Sequence, residues 1–135
     1  MAQRLCLLAT LGTATAALGA CTPGGEVPEE RGQAPVHLGA STILLDRDLV
    51  RVTVALRGGD GGQDVEAYGR CVAAQHALDQ GFGFARQVRT IVRKDGRTWV
   101  GDAVYLLSAE RPEGLRTIDT AAAVAECEAL GIPTH

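Results

Sequence analysis

The sequence predicts an α+β domain, in which a small three-stranded antiparallel sheet is covered on one face by two helices in the order β-α-β-β-α. Apolar and polar residues alternate from Val50 to Leu56, which is the period of a half-buried strand. Apolar residues recur at helical spacing over residues 64–80 and again over residues 120–130. Asp95-Gly96 lies between two further β-rich runs and indicates a hairpin. A three-stranded sheet needs a helical cover to be stable, so these elements are expected to form one domain.

A glycine-rich segment separates the first predicted strand from the first helix. Residues 58–62 (Gly-Gly-Asp-Gly-Gly) end the strand, and they lack the Gly-Lys-Ser/Thr ending of a phosphate-binding loop. Asp64 is expected to cap the helix, which ends near Gln80 because Gly81 stops it. Cys71 lies near the middle of the apolar arc of this helix, which places it against the core.

The second half of the domain is predicted to be a hairpin followed by a helix. One strand covers about residues 84–93, and its antiparallel partner covers residues 99–108. Thr117 or Asp119 is expected to cap the final helix, which runs to about Leu130.

Length and charge exclude several classes of protein. The chain has 135 residues, 4% aromatic residues and a formal net charge of −3. These values predict one domain with a small aliphatic core and argue against a general nucleic-acid binder. The histidines, His37, His76 and His135, are scattered, and His76 lies about 140° round the helix from Cys71. We therefore expect neither a metal site nor a cofactor.

The first twenty residues are predicted to be a cleaved signal peptide. Arg4 is followed by an uncharged run that ends at Ala20, which is short for a membrane-spanning helix and typical of a signal peptide. The run ends in Leu18-Gly19-Ala20-Cys21, which resembles the lipobox of bacterial lipoproteins. The resemblance implies cleavage before Cys21, a diacylglycerol on its thiol and a further acyl chain, such as palmitate, on its amino group. The alternative is an ordinary secretory signal, which Leu18 disfavours because that position takes a small residue.

The lipobox also predicts where the protein acts. Several acyl chains on one residue hold a protein firmly on a bilayer, at about 0.8 kcal/mol per buried methylene. Thr22, rather than Asp, follows the cysteine, and by the sorting rule of enteric lipoproteins this favours the outer over the inner membrane. Residues 21–41 are rich in proline, glycine and acidic residues and are expected to form a flexible tether. Residues 42–135 are then a single domain that faces the periplasm.

Two cysteines remain for the folded domain. Cys71 and Cys127 each lie centrally on the apolar arc of a predicted helix, and an oxidising compartment favours a bridge between them. In the chain-entropy model, closing this loop stabilises the fold by about 4 kcal/mol. A pair of buried free thiols is the alternative. A redox-active pair is disfavoured, because the chain has no C-x-x-C motif.

Basic residues gather on the second predicted strand and its turn, namely Arg86, Arg89, Arg93, Lys94 and Arg97. One interpretation is a contact for anionic lipid headgroups or for an acidic envelope protein. The other is a solvated strand whose charges discourage aggregation. Strand alternation favours the second, because it places Arg86 and Arg89 on opposite faces.

Two segments, Tyr68-Gly-Arg-Cys71-Val-Ala-Ala and Val-Ala-Glu-Cys127 with Gly131-Ile-Pro133, resemble uncharacterised small lipoproteins of alphaproteobacteria. This resemblance implies no activity, and Asp102 and Glu110 have no spacing that identifies a catalytic carboxylate pair. We therefore expect a non-enzymatic, lipid-anchored envelope protein with a structural or interaction role. A small-ligand-binding accessory lipoprotein is the alternative, and an envelope hydrolase is the third hypothesis.

Overall fold

Residues 33–135, the part of the chain described by a computed structural model, form a five-stranded antiparallel sheet and two helices. The strands lie side by side in the order β1-β2-β4-β3-β5. None of the helices described here is both long and apolar enough to cross a bilayer. The elements are β1 (Val36–Leu44), β2 (Leu49–Arg57), α1 (Gly62–Asp79), β3 (Phe84–Asp95), β4 (Thr98–Ser108), β5 (Thr117–Asp119) and α2 (Thr120–Leu130).

The predicted three-stranded sheet is wrong, because the structure has two further strands and the order β-β-α-β-β-β-α. β1 begins at Val36, within the range 21–41 that the sequence assigned to the tether. As an edge strand it is exposed at most of its positions on both sides, so it shows no alternation to identify it. β5 has three residues, which is too short for any pattern. The predicted signal peptide and Cys21 lie outside the described residues.

The buried face of the sheet follows the predicted alternation. Val50, Val52, Val54 and Leu56 of β2 are each at most 2% exposed. Burying a side chain of this size contributes about 1.5–3 kcal/mol. The same core contains apolar residues of both helices, including Val65 and Val72 of α1 and Ala123 and Val124 of α2. Both helices therefore lie on one side of the sheet.

The helix ends follow local capping chemistry, with one correction. The Asp119 carboxylate accepts a hydrogen bond from the Ala122 amide at 3.1 Å, so Asp119, rather than the other candidate Thr117, is the N-cap of α2. The predicted N-cap of α1 is wrong, because that helix begins at Gly62 and the cap position is Gly61. The Asp64 carboxylate instead accepts a hydrogen bond from the Asp60 amide at 2.6 Å.

Cys71 of α1 and Cys127 of α2 place their sulfur atoms at disulfide distance. The Sγ atoms of Cys71 and Cys127 are 2.02 Å apart, and their Cα atoms are 6.0 Å apart. A disulfide requires a Cα separation below about 7 Å, so the candidate bridge meets the geometric requirement. Both residues are 2% exposed, which places the bridge inside the helical layer.

Candidate interaction surface

The face of the sheet that points away from the helices is the candidate site, and we call it the open face. On β2 it consists of the residues that alternate with the four buried ones, which are Leu49, Arg51, Thr53, Ala55 and Arg57. The residues paired with these on β1 and β4, and the residues of β3 paired in turn with those of β4, complete it. Within residues 33–135 neither helix packs on it. On the central strand β4 it comprises Val100, Asp102, Val104 and Leu106.

A bulge in β3 decides which side chains reach the open face. Arg86 pairs with Leu106 and Arg89 pairs with Val104, and the register shifts between Gln87 and Arg89. Because a bulge inserts one extra residue, side chains three positions apart come to lie on the same face. The prediction that Arg86 and Arg89 point to opposite faces is therefore wrong.

The open face collects five arginines from two strands. Arg86, Arg89 and Arg93 come from β3, whereas Arg51 and Arg57 come from β2. The sequence did not single out the two β2 arginines, although they alternate with the buried valines of that strand. These two arginines lie near those of β3 because β4 alone separates β2 from β3. No local sequence pattern shows that strand order.

The other two basic residues of the predicted group lie elsewhere. Lys94 pairs with Trp99, on the helix side of the sheet, and its Nζ is 5.0 Å from the centre of the Trp99 ring. Arg97 lies in the turn that joins β3 to β4. The structure thus brings together three of the five predicted anion-contact residues.

Asp102 lies within ion-pair distance of two of the arginines. Its Oδ1 lies 3.7 Å from Arg51 Nε and 3.9 Å from a terminal nitrogen of Arg89. Ion pairs this exposed contribute at most about 1 kcal/mol. Val104, directly between Arg51 and Arg89 in the register, is only 6% exposed, as expected if their aliphatic stems cover it.

Charge is segregated between the two sides of the domain. The open face carries the five arginines and only two acidic residues, Asp95 and Asp102. The helices carry Arg70 against five acidic residues. A domain that is acidic as a whole therefore presents one cationic surface, which attracts anionic partners. The acidic residues of the helices are Asp64, Glu66, Asp79, Glu126 and Glu128.

The loop before β5 borders one end of the open face. The Arg111 guanidinium carbon lies 5.1 Å from the centre of the Phe84 ring, which is a cation–π geometry. A Cβ added at Gly114 would lie 3.6 Å from the Arg86 guanidinium carbon. Both contacts lie at the Phe84–Arg86 end of β3, so the loop adds a sixth arginine at the border of the open face.

A cleft of about 560 Å³ lies between β1, α1 and the last residues of the chain. His76, Asp79 and His135 line it together with Thr42. His76 Nε2 is buried and has no hydrogen-bond partner among residues 33–135. The cleft opens on the helix side of β1, away from the arginines, and Ala40 and Val72 also line it, so its lining mixes polar and apolar groups.

The third histidine packs against the core rather than lining the cleft. The His37 ring meets the Tyr68 ring edge-on at 4.7 Å, and the Tyr68 hydroxyl donates a hydrogen bond to the His135 carbonyl at 3.3 Å. Burial lowers the pKa of His37, and the Asp64 carboxylate partly opposes this. Residues 33–135 contain no group of three or more side chains placed to hold a metal ion.

Comparisons with known proteins identify the family. Residues 37–131 match the family described as the YNQ4 C-terminal domain. The chain is 39% identical over 106 residues to a Paracoccus denitrificans protein described as an uncharacterised 26.9 kDa protein in the nqo8 5' region. That alignment covers 78% of this chain and 42% of the relative, so the chain spans less than half of the relative's length. No solved structure matches the chain. The chain belongs to the YNQ4 C-terminal domain family.

Proposed function

We propose that this protein is a lipid-anchored interaction module of the cell envelope and that its open face binds a partner. The observation that carries the proposal is the concentration of five arginines on a sheet face that no described helix covers. No two of these arginines are partners on neighbouring strands, and Arg51 and Arg89 lie on either side of Val104. Together the five charges give this face a positive potential that attracts an anionic partner, so the arrangement is suited to binding.

Two further observations support the envelope as the location. Leu18-Gly19-Ala20-Cys21 ends an uncharged leader and resembles a lipobox. Cys71 and Cys127 lie within bridging distance, and bridges of this kind persist in oxidising compartments. We propose that the domain faces the periplasm from the outer membrane and has a binding role rather than an enzymatic one.

In-cell photocrosslinking tests the interaction role. A photoreactive amino acid at Thr53, on the open face, is expected to give a discrete crosslinked product in living cells. The same amino acid at Glu126, exposed on α2, is the control and is expected to give none. Equal products from both positions, or none from Thr53, would contradict the proposal.

The lipid anchor has a separate test. The intact mass of the mature protein should correspond to a chain that begins at a triacylated Cys21. Cys21→Ala should abolish that modification and prevent processing at this site. A mature protein with an unmodified Cys21, or with a different first residue, would show that the anchor is absent.

The second candidate function is a small-ligand-binding accessory lipoprotein, and the cleft beside His76 favours it. Native mass spectrometry of protein isolated from its own cells should then show a retained small molecule. Thr42→Trp, which would fill the cleft from β1, should remove that molecule and leave the Thr53 crosslink unchanged. A variant of the open face that loses the Thr53 crosslink and still retains the small molecule would show that the two sites act separately, and the crosslink would then support the interaction role.

A further inference from the structure

We infer that the partner of the open face is an acidic amphipathic helix of another protein. This inference rests on the proposed function and specifies the chemistry of the partner. It depends on the shape of the open face, on the position of its arginines and on the single carboxylate at its centre.

The middle of the open face is a bed of side chains no larger than valine. Gly39 of β1 pairs with Ala55 of β2, and Ala55 pairs with Val100 of β4. Thr53 continues the bed one pleat further along β2. All four residues are exposed or half-buried, so the bed is accessible.

Larger side chains surround this bed on three sides. At one end the long side chains are those of Ile43, Arg51 and Arg89, which lie in one register row. Ile91 and Arg93 of β3 border the side, and Arg57 of β2 closes the other end. Ile43 and Ile91 are 55% and 51% exposed, so apolar groups as well as guanidinium groups stand above the bed.

The dimensions of the bed suit one helix. Arg51 and Arg57 are six residues apart on β2, which corresponds to about 20 Å. That length accommodates about 13 helical residues. Three neighbouring strands span about 10 Å between the outer two, which is close to the diameter of a helix. Helices pack on sheet faces, whereas extended peptides add to sheet edges. A second sheet can also cover a face, but the bed is about as wide as one helix, so we assign the occupant as a helix.

The charges define the surface of that helix. An apolar stripe would lie on the bed, and acidic side chains beside the stripe would reach Arg89 and Arg93 on one flank. Further acidic side chains near the two helix ends would reach Arg51 and Arg57. Arginine presents a planar fork that binds a carboxylate through two hydrogen bonds, and all five cations of the open face are arginines.

An anionic bilayer surface fits these features less well. A planar layer of headgroups would touch the surrounding isoleucines and arginines and leave the bed of small residues unfilled. Asp102, which borders the bed beside Thr53, would also repel phosphate groups. A helix that presents an apolar or neutral residue at that position avoids this repulsion.

Fluorescence anisotropy with a defined peptide tests the inference. The probe is a labelled synthetic helix of 14 residues with a leucine and alanine stripe flanked by glutamates, and the control peptide has glutamine at every glutamate position. The full chain, purified in a nonionic detergent, is expected to bind the glutamate peptide at least about tenfold more tightly than the control, a difference of about 1.4 kcal/mol. Binding should weaken with added salt.

Matched variants locate the binding surface. Arg89→Gln with Arg93→Gln should weaken binding of the glutamate peptide by about tenfold or more. Lys94→Gln with Arg97→Gln removes the same charge from the same hairpin but off the open face, and should change the affinity by less than about twofold. Ala55→Phe fills the bed without changing any charge and should abolish binding. Thermal unfolding of each variant establishes that it is folded.

Three outcomes would overturn the inference. The first is an equal loss of affinity in the two double variants, and the second is undiminished binding by Ala55→Phe. The third is binding to phosphatidylglycerol vesicles that depends on Arg89 and Arg93 and that the glutamate peptide does not reverse, which would assign the face to lipid headgroups. If the peptide fails to bind while the Thr53 crosslink persists in cells, the acidic helix is wrong and the interaction module stands.

Discussion

Arg86 and Arg89 lie three residues apart on β3 and yet point to the same face of the sheet. Regular alternation would separate them, but the bulge between Gln87 and Arg89 adds one residue on this strand. This single irregularity turns a strand with charges on both faces into a strand whose arginines share one face. Bulges often reorient side chains at functional positions, which is consistent with the role proposed for the open face.

Deleting Val88 should remove the bulge and preserve the open face. Arg86 and Arg89 would then be two positions apart, so regular alternation keeps them on one side while residues 89–95 keep their partners on β4. We expect the free energy of unfolding in urea to change by no more than about 1 kcal/mol. Deleting Val92 in the regular part of β3 is the control, because it shifts the register and should destabilise the fold far more. Similar losses from both deletions would show that the bulge has a structural role of its own.

Gly101→Ala should destabilise the domain, because a buried side chain of α1 packs directly against Gly101. An added Cβ would collide with Cγ1 of Val65, a buried and stiff β-branched side chain of α1. Overpacking of this kind costs about 1–3 kcal/mol, measurable as a lower urea midpoint. Gly62→Ala is the matched control, since its Cβ meets no atom within 4 Å and should leave the midpoint unchanged or slightly raised.

Removing both bridge cysteines should lower stability without changing the fold. The residues are separated by 56 positions, and the chain-entropy model gives about 4 kcal/mol for such a loop, with measured values from about 2 kcal/mol upward. Cys71→Ala with Cys127→Ala should therefore unfold at a lower urea concentration, and a reducing agent should have no further effect on it. If dithiothreitol leaves the stability of the native sequence unchanged, the two thiols are not bridged.

The stability of the domain should fall as the pH is lowered through the titration of His37. Burial lowers the pKa of His37 below its ordinary value of 6.5, so near that pH the unfolded chain binds more protons than the folded chain. The His37 contribution is therefore complete above about pH 6.5 and is lost as the pH falls towards the lowered pKa. Urea unfolding measured from pH 8 to pH 5 should show this decline, and His37→Gln should reduce it.

The Asp64 carboxylate offers a control for this assignment. It favours protonated His37, so Asp64→Asn should lower the histidine pKa further. The free energy of unfolding should then continue to fall to a lower pH in Asp64→Asn than in the native sequence. An identical pH profile in Asp64→Asn and in His37→Gln would show that another group is responsible.

Much of the fold was predictable because local patterns carry it. The alternation of β2 and the hairpin after the Asp-Gly pair appear in the structure, although the turn residues are Gly96 and Arg97 and Asp95 still belongs to β3. Asp119, one of the two predicted candidates, caps α2. β1 and β5 were not predictable, since an exposed edge strand shows no alternation and three residues show no period. These two strands complete the sheet only through their pairing with β2 and β3.

The sequence by itself determined the buried and exposed sides of β2 and the hairpin, because those depend on residues that are close together in the chain. Only the tertiary structure decided that Arg51 and Arg57 share a surface with Arg86, Arg89 and Arg93. That surface requires β4 to lie between β2 and β3 and a bulge to reverse the alternation within β3. Both are properties of strand pairing, which joins residues far apart in sequence, so no local pattern contains them.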